Sequence, residues 1–168
     1  MPELTLRAVR QENAGELARL FASNDDYTRR VNGRSHSEDD ADSALVALPP
    51  GVSKSQKYGF GLWSKQELVA FADVIRGWPT PDTAHIGLLM THGEQHGQGL
   101  GTQMHEAILE ASKGWLEISR LRISIVDTNA EMANGFWTTL GYEPTGESAI
   151  HEGDLVKSVA RVWVRSLT

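Results

Sequence analysis

The segment that most constrains this chain is His96-Gly97-Gln98-Gly99-Leu100-Gly101-Thr102. An apolar run, Ile86-Gly87-Leu88-Leu89-Met90, stands before it and reads as a strand over Thr83 to Met90. After it, Leu100, Met104, Ala107, Ile108 and Ala111 recur on one helical face, and Gly114 ends the pattern. A glycine-rich turn between a strand and a helix aims several backbone N–H groups at one point. The helix N-terminus adds roughly half a positive charge there. Such a place suits a phosphate or pyrophosphate without needing a basic side chain. The next strand, Arg120 to Val126, carries Leu121, Ile123 and Ile125 on one face. A strand–helix–strand passage of this length predicts a parallel pair.

The remaining elements predict an antiparallel setting for that pair. Leu4, Leu6 and Ala8 alternate with polar neighbours as a first strand, and Asn13 is placed to cap a helix carrying Leu17, Leu20 and Phe21. Ser23-Asn24-Asp25-Asp26-Tyr27 is expected to end that helix, and residues 32–36 read as loop. A second helix opens at Ser37-Glu38-Asp39-Asp40, with Ala44, Leu45 and Leu48 inward, and stops at Pro49-Pro50-Gly51. Lys57 to Trp63 and Glu67 to Arg76 are strands joined by Ser64-Lys65-Gln66, which predicts a hairpin. From Asn129 to Leu140 a helix is expected with Met132, Phe136 and Leu140 on one face and Gly141 as its C-terminal cap. Extended chain follows from Tyr142, and Asp154 to Arg165 is the last strand. The expected fold is mixed α+β in one domain over residues 1–168, with a mostly antiparallel sheet, one parallel pair and about four helices.

Composition narrows the function. The net charge of −6 disfavours nucleic acid as a partner. The 40% hydrophobic content supports a core, and no apolar run reaches the roughly 20 residues of a spanning helix. The absence of cysteine excludes disulfides, thiolate metal sites and a cysteine nucleophile. A soluble, cytoplasmic protein is the reading these features imply. No ligand spacing supports a metal site.

In its order of strand, glycine loop, helix, strand and helix, the chain resembles the GNAT superfamily of acetyl-coenzyme A-dependent N-acyltransferases, best over about residues 85–145. Gly99 and Gly101 match the glycine positions of the family's loop signature, and His96 stands where Gln or Arg is usual. Phe136-Trp137-Thr138-Thr139-Leu140-Gly141-Tyr142 matches the family's second hallmark, an aromatic residue followed by Leu-Gly-Phe or Leu-Gly-Tyr. The resemblance implies a fold whose parallel strands splay apart at the cofactor. It implies acetyl-CoA as donor, held by main-chain amides of Gly97, Gln98, Gly99, Gly101 and Thr102, with His96 beside the pyrophosphate or solvated at the loop edge. It further implies that pantetheine pairs with the strand near Leu88 to Met90. An N–H of Leu89 or Met90 would polarise the thioester carbonyl. Asn129 resembles the asparagine that contacts pantetheine, one residue further from Trp137 than usual; it is either that residue or an N-cap.

The reaction needs a neutral amine, and about one lysine-like amine in 2,500 is neutral at pH 7. Three candidate bases lie on or at the ends of the relevant strands: His85 first, for its intrinsic pKa, then Asp73 and Asp127. Each has a plain alternative as a solvated or capping residue. Where the family often places a proton-donating tyrosine, this chain has Trp137, which packs either at the acyl end or in the core. Tyr142 is a poor geometric substitute. On the acceptor side, Asp25, Asp26, Tyr27, Glu38, Asp39, Asp40 and Asp42, with Glu147, His151, Glu152 and Asp154, would attract an amine or serve as dipole partners and solubilising charge. The expected partner is a small-molecule or peptide amine, and a homodimer is compatible. A non-catalytic acyl-CoA sensor is the alternative, and a nucleotide binder ranks below both because the Walker lysine and a GxGxxG after the first strand are missing.

Overall fold

The computed structural model describes residues 3–37, 39–95, 97–152 and 157–167. Glu38, His96 and Asp154 lie outside the described residues, as does the side chain of Glu152. Seven strands form one sheet in the order β1-β2-β3-β4-β5-β7-β6. They are β1 (Leu4–Ala8), β2 (Lys57–Ser64), β3 (Glu67–Arg76), β4 (Thr83–Thr91), β5 (Arg120–Val126), β6 (Glu143–Glu152) and β7 (Lys157–Ser166). Every neighbouring pair is antiparallel except β4 with β5. The β2–β3 hairpin turns at Lys65, whose φ of 57° is the one positive value outside glycine among the described residues. No helix among the described residues is long and apolar enough to cross a membrane.

Among the described residues five helices cover the sheet rather than about four: α1 (Ala14–Ala22), α2 (Asp25–Asn32), α3 (Asp39–Val46), α4 (Leu100–Lys113) and α5 (Ala130–Thr139). The unexpected one is α2, where the sequence reads as a turn and a loop. It buries only Thr28, so no apolar stripe marks it. Its termini hold it instead. Asp25 and Asp26 occupy the first turn, Arg29 bonds back to Asp25 at 2.8 Å, and Gly33 closes the end at a φ of 77°. Asn13 stands at the α1 cap position, but its Oδ1 accepts the Arg10 N–H at 3.0 Å rather than bonding into the helix.

Two apolar layers clamp the sheet. On one face, Ala72, Val74, Ala84, Ile86, Leu121, Ile123 and Ile125 pack on Leu100, Met104, Ile108 and Leu109 of α4. On the other, Val9, Trp63, Phe71 and Met90 meet Leu17, Leu20 and Phe21 of α1 and Ala41 of α3. Leu6 faces solvent on the edge strand at 49% exposure, and Leu48 lies beyond α3. α5 is rotated from the expected face. Ala130, Ala133, Trp137 and Leu140 turn inward, while Met132 is 64% exposed. Gly141, at φ 91°, ends this helix, and the Tyr142 N–H donates to the Trp137 carbonyl at 3.1 Å.

One irregularity positions the site. Between β3 and β4, Asp73 pairs with Leu88 but Val74 pairs with Ile86, so Gly87 is a bulge residue. The bulge reverses the strand's alternation and bends β4. Pairing with β5 runs from Thr83 to Ile86 and ends there. Beyond the bulge the two parallel strands diverge.

Candidate active site

The loop after β4 turns on two glycines in the left-handed region, Gly97 at φ 84° and Gly99 at φ 77°. A Cβ on either would meet nothing within 4 Å, so backbone conformation, not crowding, demands glycine there. Gly101 is different. A Cβ at that position would lie 3.0 and 3.1 Å from two ring carbons of Phe136. Gly99 is the N-cap of α4 and offers no side-chain cap; the first intrahelical bond is from the Gln103 N–H to the Gly99 carbonyl at 3.0 Å. The N–H groups of Leu100, Gly101 and Thr102 therefore have no acceptor within the helix.

Those amides, which bond no described residue, front a cavity of about 520 Å³. Its walls are Leu89 to Thr91 of β4, Gly97, Gly99 and the first turn of α4, Met132, Phe136 and Trp137 of α5, and Tyr27 and Arg30 of α2. Gln98 is exposed and is not part of the wall. A narrow slot of about 80 Å³ continues from it between the diverging strands. Tyr27, Leu89, Asn129, Ala133 and Trp137 line both spaces, and Gly87, Leu88, Ser124 and Val126 line the slot alone. The arrangement is a group of helix-start amides at one end, an open channel, and a gap between β4 and β5 at the other.

Asn129 supplies no cap bond to α5; its Oδ1 accepts from the Arg30 Nε at 2.7 Å, tying α2 to the start of α5. Trp137 packs edge-on against Tyr142 and His105, with ring centres 5.0 and 6.0 Å away. Tyr142 is buried, and its hydroxyl is 2.9 Å from His105 Nε2. Burial drives the Tyr142 phenol well above its ordinary pKa and pushes His105 down to about 4, with Arg165 adding to the His105 shift. Among the described wall residues Tyr27 is the one phenol. Its hydroxyl makes no hydrogen bond to any described residue, and burial raises its pKa against the opposing charge of Arg30. The sequence named Tyr27 only within an acidic cluster; the unread helix α2 is what carries it into the site.

The three candidate bases are not brought together. His85 sits in the paired part of β4, ahead of the gap, where its Nδ1 accepts from Arg122 Nη1 at 3.1 Å. Burial, with Arg122 beside it, pushes its pKa down to about 3. The depressed basicity and the engaged lone pair both weigh against His85 as the group that takes a proton from an ammonium. Asp127 is held below the usual carboxylate range by a two-point bond to Arg161, at 2.8 and 3.1 Å. Asp73 pairs with Lys57 at 2.9 Å, and burial outweighs that pairing to raise its pKa. Its carboxylate borders Gly87, a slot residue: a Cβ on Gly87 would lie 3.1 Å from its Oδ2. It otherwise faces a separate cavity of about 270 Å³ under α3. Two acids of α2 and α3 have local partners: Asp25 accepts the His36 N–H at 2.7 Å, and Asp40 takes Arg34 at 2.7 Å. No group of three or more potential ligands for a metal ion occurs among the described residues.

Comparison with known proteins agrees with this geometry. The model of the Acetyltransferase (GNAT) family matches residues 17–142. No curated protein is similar enough in sequence to match. Among solved structures, an acetyltransferase from Thermus thermophilus superposes with a TM-score of 0.74 at 23% identity, covering 97% of this chain and 96% of that one. The ribosomal-protein-S18-alanine N-acetyltransferase from Escherichia coli gives 0.67 at 15% identity, covering 99% and 95%. An N-acetyltransferase from Staphylococcus aureus Mu50 gives 0.69 at 14% identity, covering 99% of each chain. At these identities the likeness concerns the fold.

Proposed function

We propose that this chain, which belongs to the acetyltransferase (GNAT) family and is an acyltransferase, moves an acetyl group from acetyl-coenzyme A to a primary amine of a small molecule or peptide. The observation that carries the reading is the set of amides at Leu100 to Thr102, unpaired among the described residues, opening onto a channel that runs into the gap between β4 and β5. Acetyl-coenzyme A would supply a thioester-activated acetyl group. Main-chain N–H groups of Gly97, Gly99, Gly101 and Thr102 fit its pyrophosphate, and the β4 edge at Leu89 and Met90, without a β5 partner, fits the amides of its pantetheine arm. Trp137 and Asn129 form the far wall.

Transfer forms a nitrogen–carbon bond as the carbon–sulfur bond breaks, and the amine gives up a proton. Asp73 is the base this arrangement favours, because its carboxylate abuts the bulge at the head of the slot and burial raises its basicity. Tyr27, which lines both the cavity and the slot, would supply the hydroxyl that returns a proton to sulfur. The test is thiol release from acetyl-coenzyme A with a panel of amines, run beside calorimetric binding of coenzyme A and ATP. Amine-dependent release together with coenzyme A binding supports the proposal; ATP binding in preference to coenzyme A refutes it. One observation favours a second reading, a non-catalytic acyl-CoA sensor: no carboxylate or histidine among the described residues lines either the cavity or the slot. Tight coenzyme A binding without thiol release identifies that case.

A further inference from the structure

Arg122 lines neither the cavity nor the slot. It lies on β5 two residues before Ser124, which lines the slot, so the two side chains share one face of the sheet. The face is the one opposite α4, where an acceptor would approach the gap from the side away from the cradle. Arg122 is half-buried, and it forms no ion pair with any described residue. One N–H goes to His85 Nδ1 at 3.1 Å. Its guanidinium carbon stands 5.2 Å from the centre of the Trp78 ring, and that ring packs edge-on against His85 at 4.9 Å. A guanidinium has five donors, and most of these are left over. Burial lowers its pKa against a weaker, longer-range pull from Glu147. His85, kept neutral, provides no counter-charge.

A partly desolvated cation with no carboxylate at ion-pair distance, and only the longer-range charge of Glu147, is unfavourable unless something else supplies the charge. Here two aromatic rings fix its orientation and leave its donors open, which is how a planar recognition group is preorganised. We propose that Arg122, anchored by His85 and stacked beside Trp78, binds a carboxylate on the acetyl acceptor. The acceptor class is then amines that also carry a carboxylate. The spacing follows from the strands. Arg122 is level with His85, and Leu88, at the gap, lies three residues further along β4, roughly 10 Å away. The bulge at Gly87 shortens that rise and the anchoring keeps the guanidinium near His85, so amine and carboxylate should be separated by about 5–10 Å, longer than in a free α-amino acid. His85 is in this account a positioning residue, not a base.

The inference rests on the transfer reading above, and the experiment separates the two. Thiol release from acetyl-coenzyme A is measured with matched acceptors: 6-aminohexanoate against hexylamine, diglycine against its C-terminal amide, and norleucine as a short-spaced control. The expected result is a kcat/KM roughly 10- to 100-fold higher for each long-spaced carboxylate than for its uncharged match, with norleucine poor. Arg122→Gln should erase that preference, Arg122→Lys should keep part of it, and neither should alter coenzyme A affinity. Equal kcat/KM within the matched pairs overturns the inference while leaving acetyl transfer intact, and this comparison uses the unaltered protein, so it does not depend on any variant folding. A preference that survives in folded Arg122→Gln also overturns it. Coenzyme A binding with no thiol release for any amine refutes the transfer reading and removes this inference with it.

Discussion

Gly101→Val probes the cradle through its neighbour. The new Cβ would lie 3.0 and 3.1 Å from Phe136 ring carbons, inside the about 3.5–4.0 Å of ordinary carbon contact. Either the ring or the first turn of α4 must shift by several tenths of an ångström, and valine brings two further methyls. Overpacking of this kind costs about 1–3 kcal/mol in stability. Phe136 also lines the large cavity, so relief by moving the ring narrows the channel, and relief by moving α4 misaligns the free amides. Coenzyme A affinity should fall at least about tenfold, or about 1.4 kcal/mol. The assay is a double-mutant cycle. Stability by urea unfolding and affinity by calorimetry are measured for Gly101→Val, Phe136→Ala and the pair, and the valine's stability cost should shrink in the alanine background by about 0.5–3 kcal/mol. A folded Gly101→Val protein with unaltered coenzyme A affinity, or additive effects in the cycle, would refute the reasoning.

Four further outcomes follow from the site and its surroundings. Tyr27→Phe should lower kcat about tenfold or more while leaving coenzyme A affinity unchanged by calorimetry; an unchanged kcat removes the phenol from the reaction. Asp73→Asn should reduce kcat/KM by about 100-fold, and a smaller loss than that from Asp127→Asn would move the base elsewhere. Tyr142→Phe should cost about 1–3 kcal/mol in urea unfolding, because it strands the buried His105 nitrogen, yet leave turnover unchanged. Acid lability should trace to His85 and His105. Their folded pKa values of about 3 and about 4 lie below the ordinary 6.5, so below pH 6.5 the unfolded chain binds more protons. The melting temperature should be highest above pH 6.5 and fall from there toward pH 3, and His105→Leu should flatten that fall; a melting temperature flat across the window contradicts the burial of both rings.

Much of the frame was legible because its signals are periodic. The β2–β3 hairpin, the parallel β4–β5 pair and the α4 stripe all follow from alternation or from spacings of three and four. The glycines at 97, 99 and 101 pointed to a cradle, although the reason for Gly101 is contact with Phe136 and could not be read from the chain. Where prediction failed, the controlling interaction was of another kind. α2 is held by its terminal charges and by Gly33, so a search for apolar periodicity passes over it. In α5 the apolar spacing of Met132, Phe136 and Leu140 competes with that of Ala130, Ala133, Trp137 and Leu140, and the packing of the large Trp137 ring against Tyr142 selects the second. The bulge had a visible signal, a lone glycine inside the Ile86 to Met90 run. The tie between His85 and Arg122 joins strands 37 residues apart, a contact that no local pattern reveals.

Backbone amide chemical shifts, followed by ¹⁵N–¹H correlation spectra during titration with coenzyme A, address the cradle at the level of its own atoms. The largest displacements should fall on Gly97 and on Gly99 through Thr102, and pantetheine, which lacks the pyrophosphate, should leave most of them in place. Saturable binding whose shifts cluster anywhere else, or a titration that moves nothing, would contradict the account.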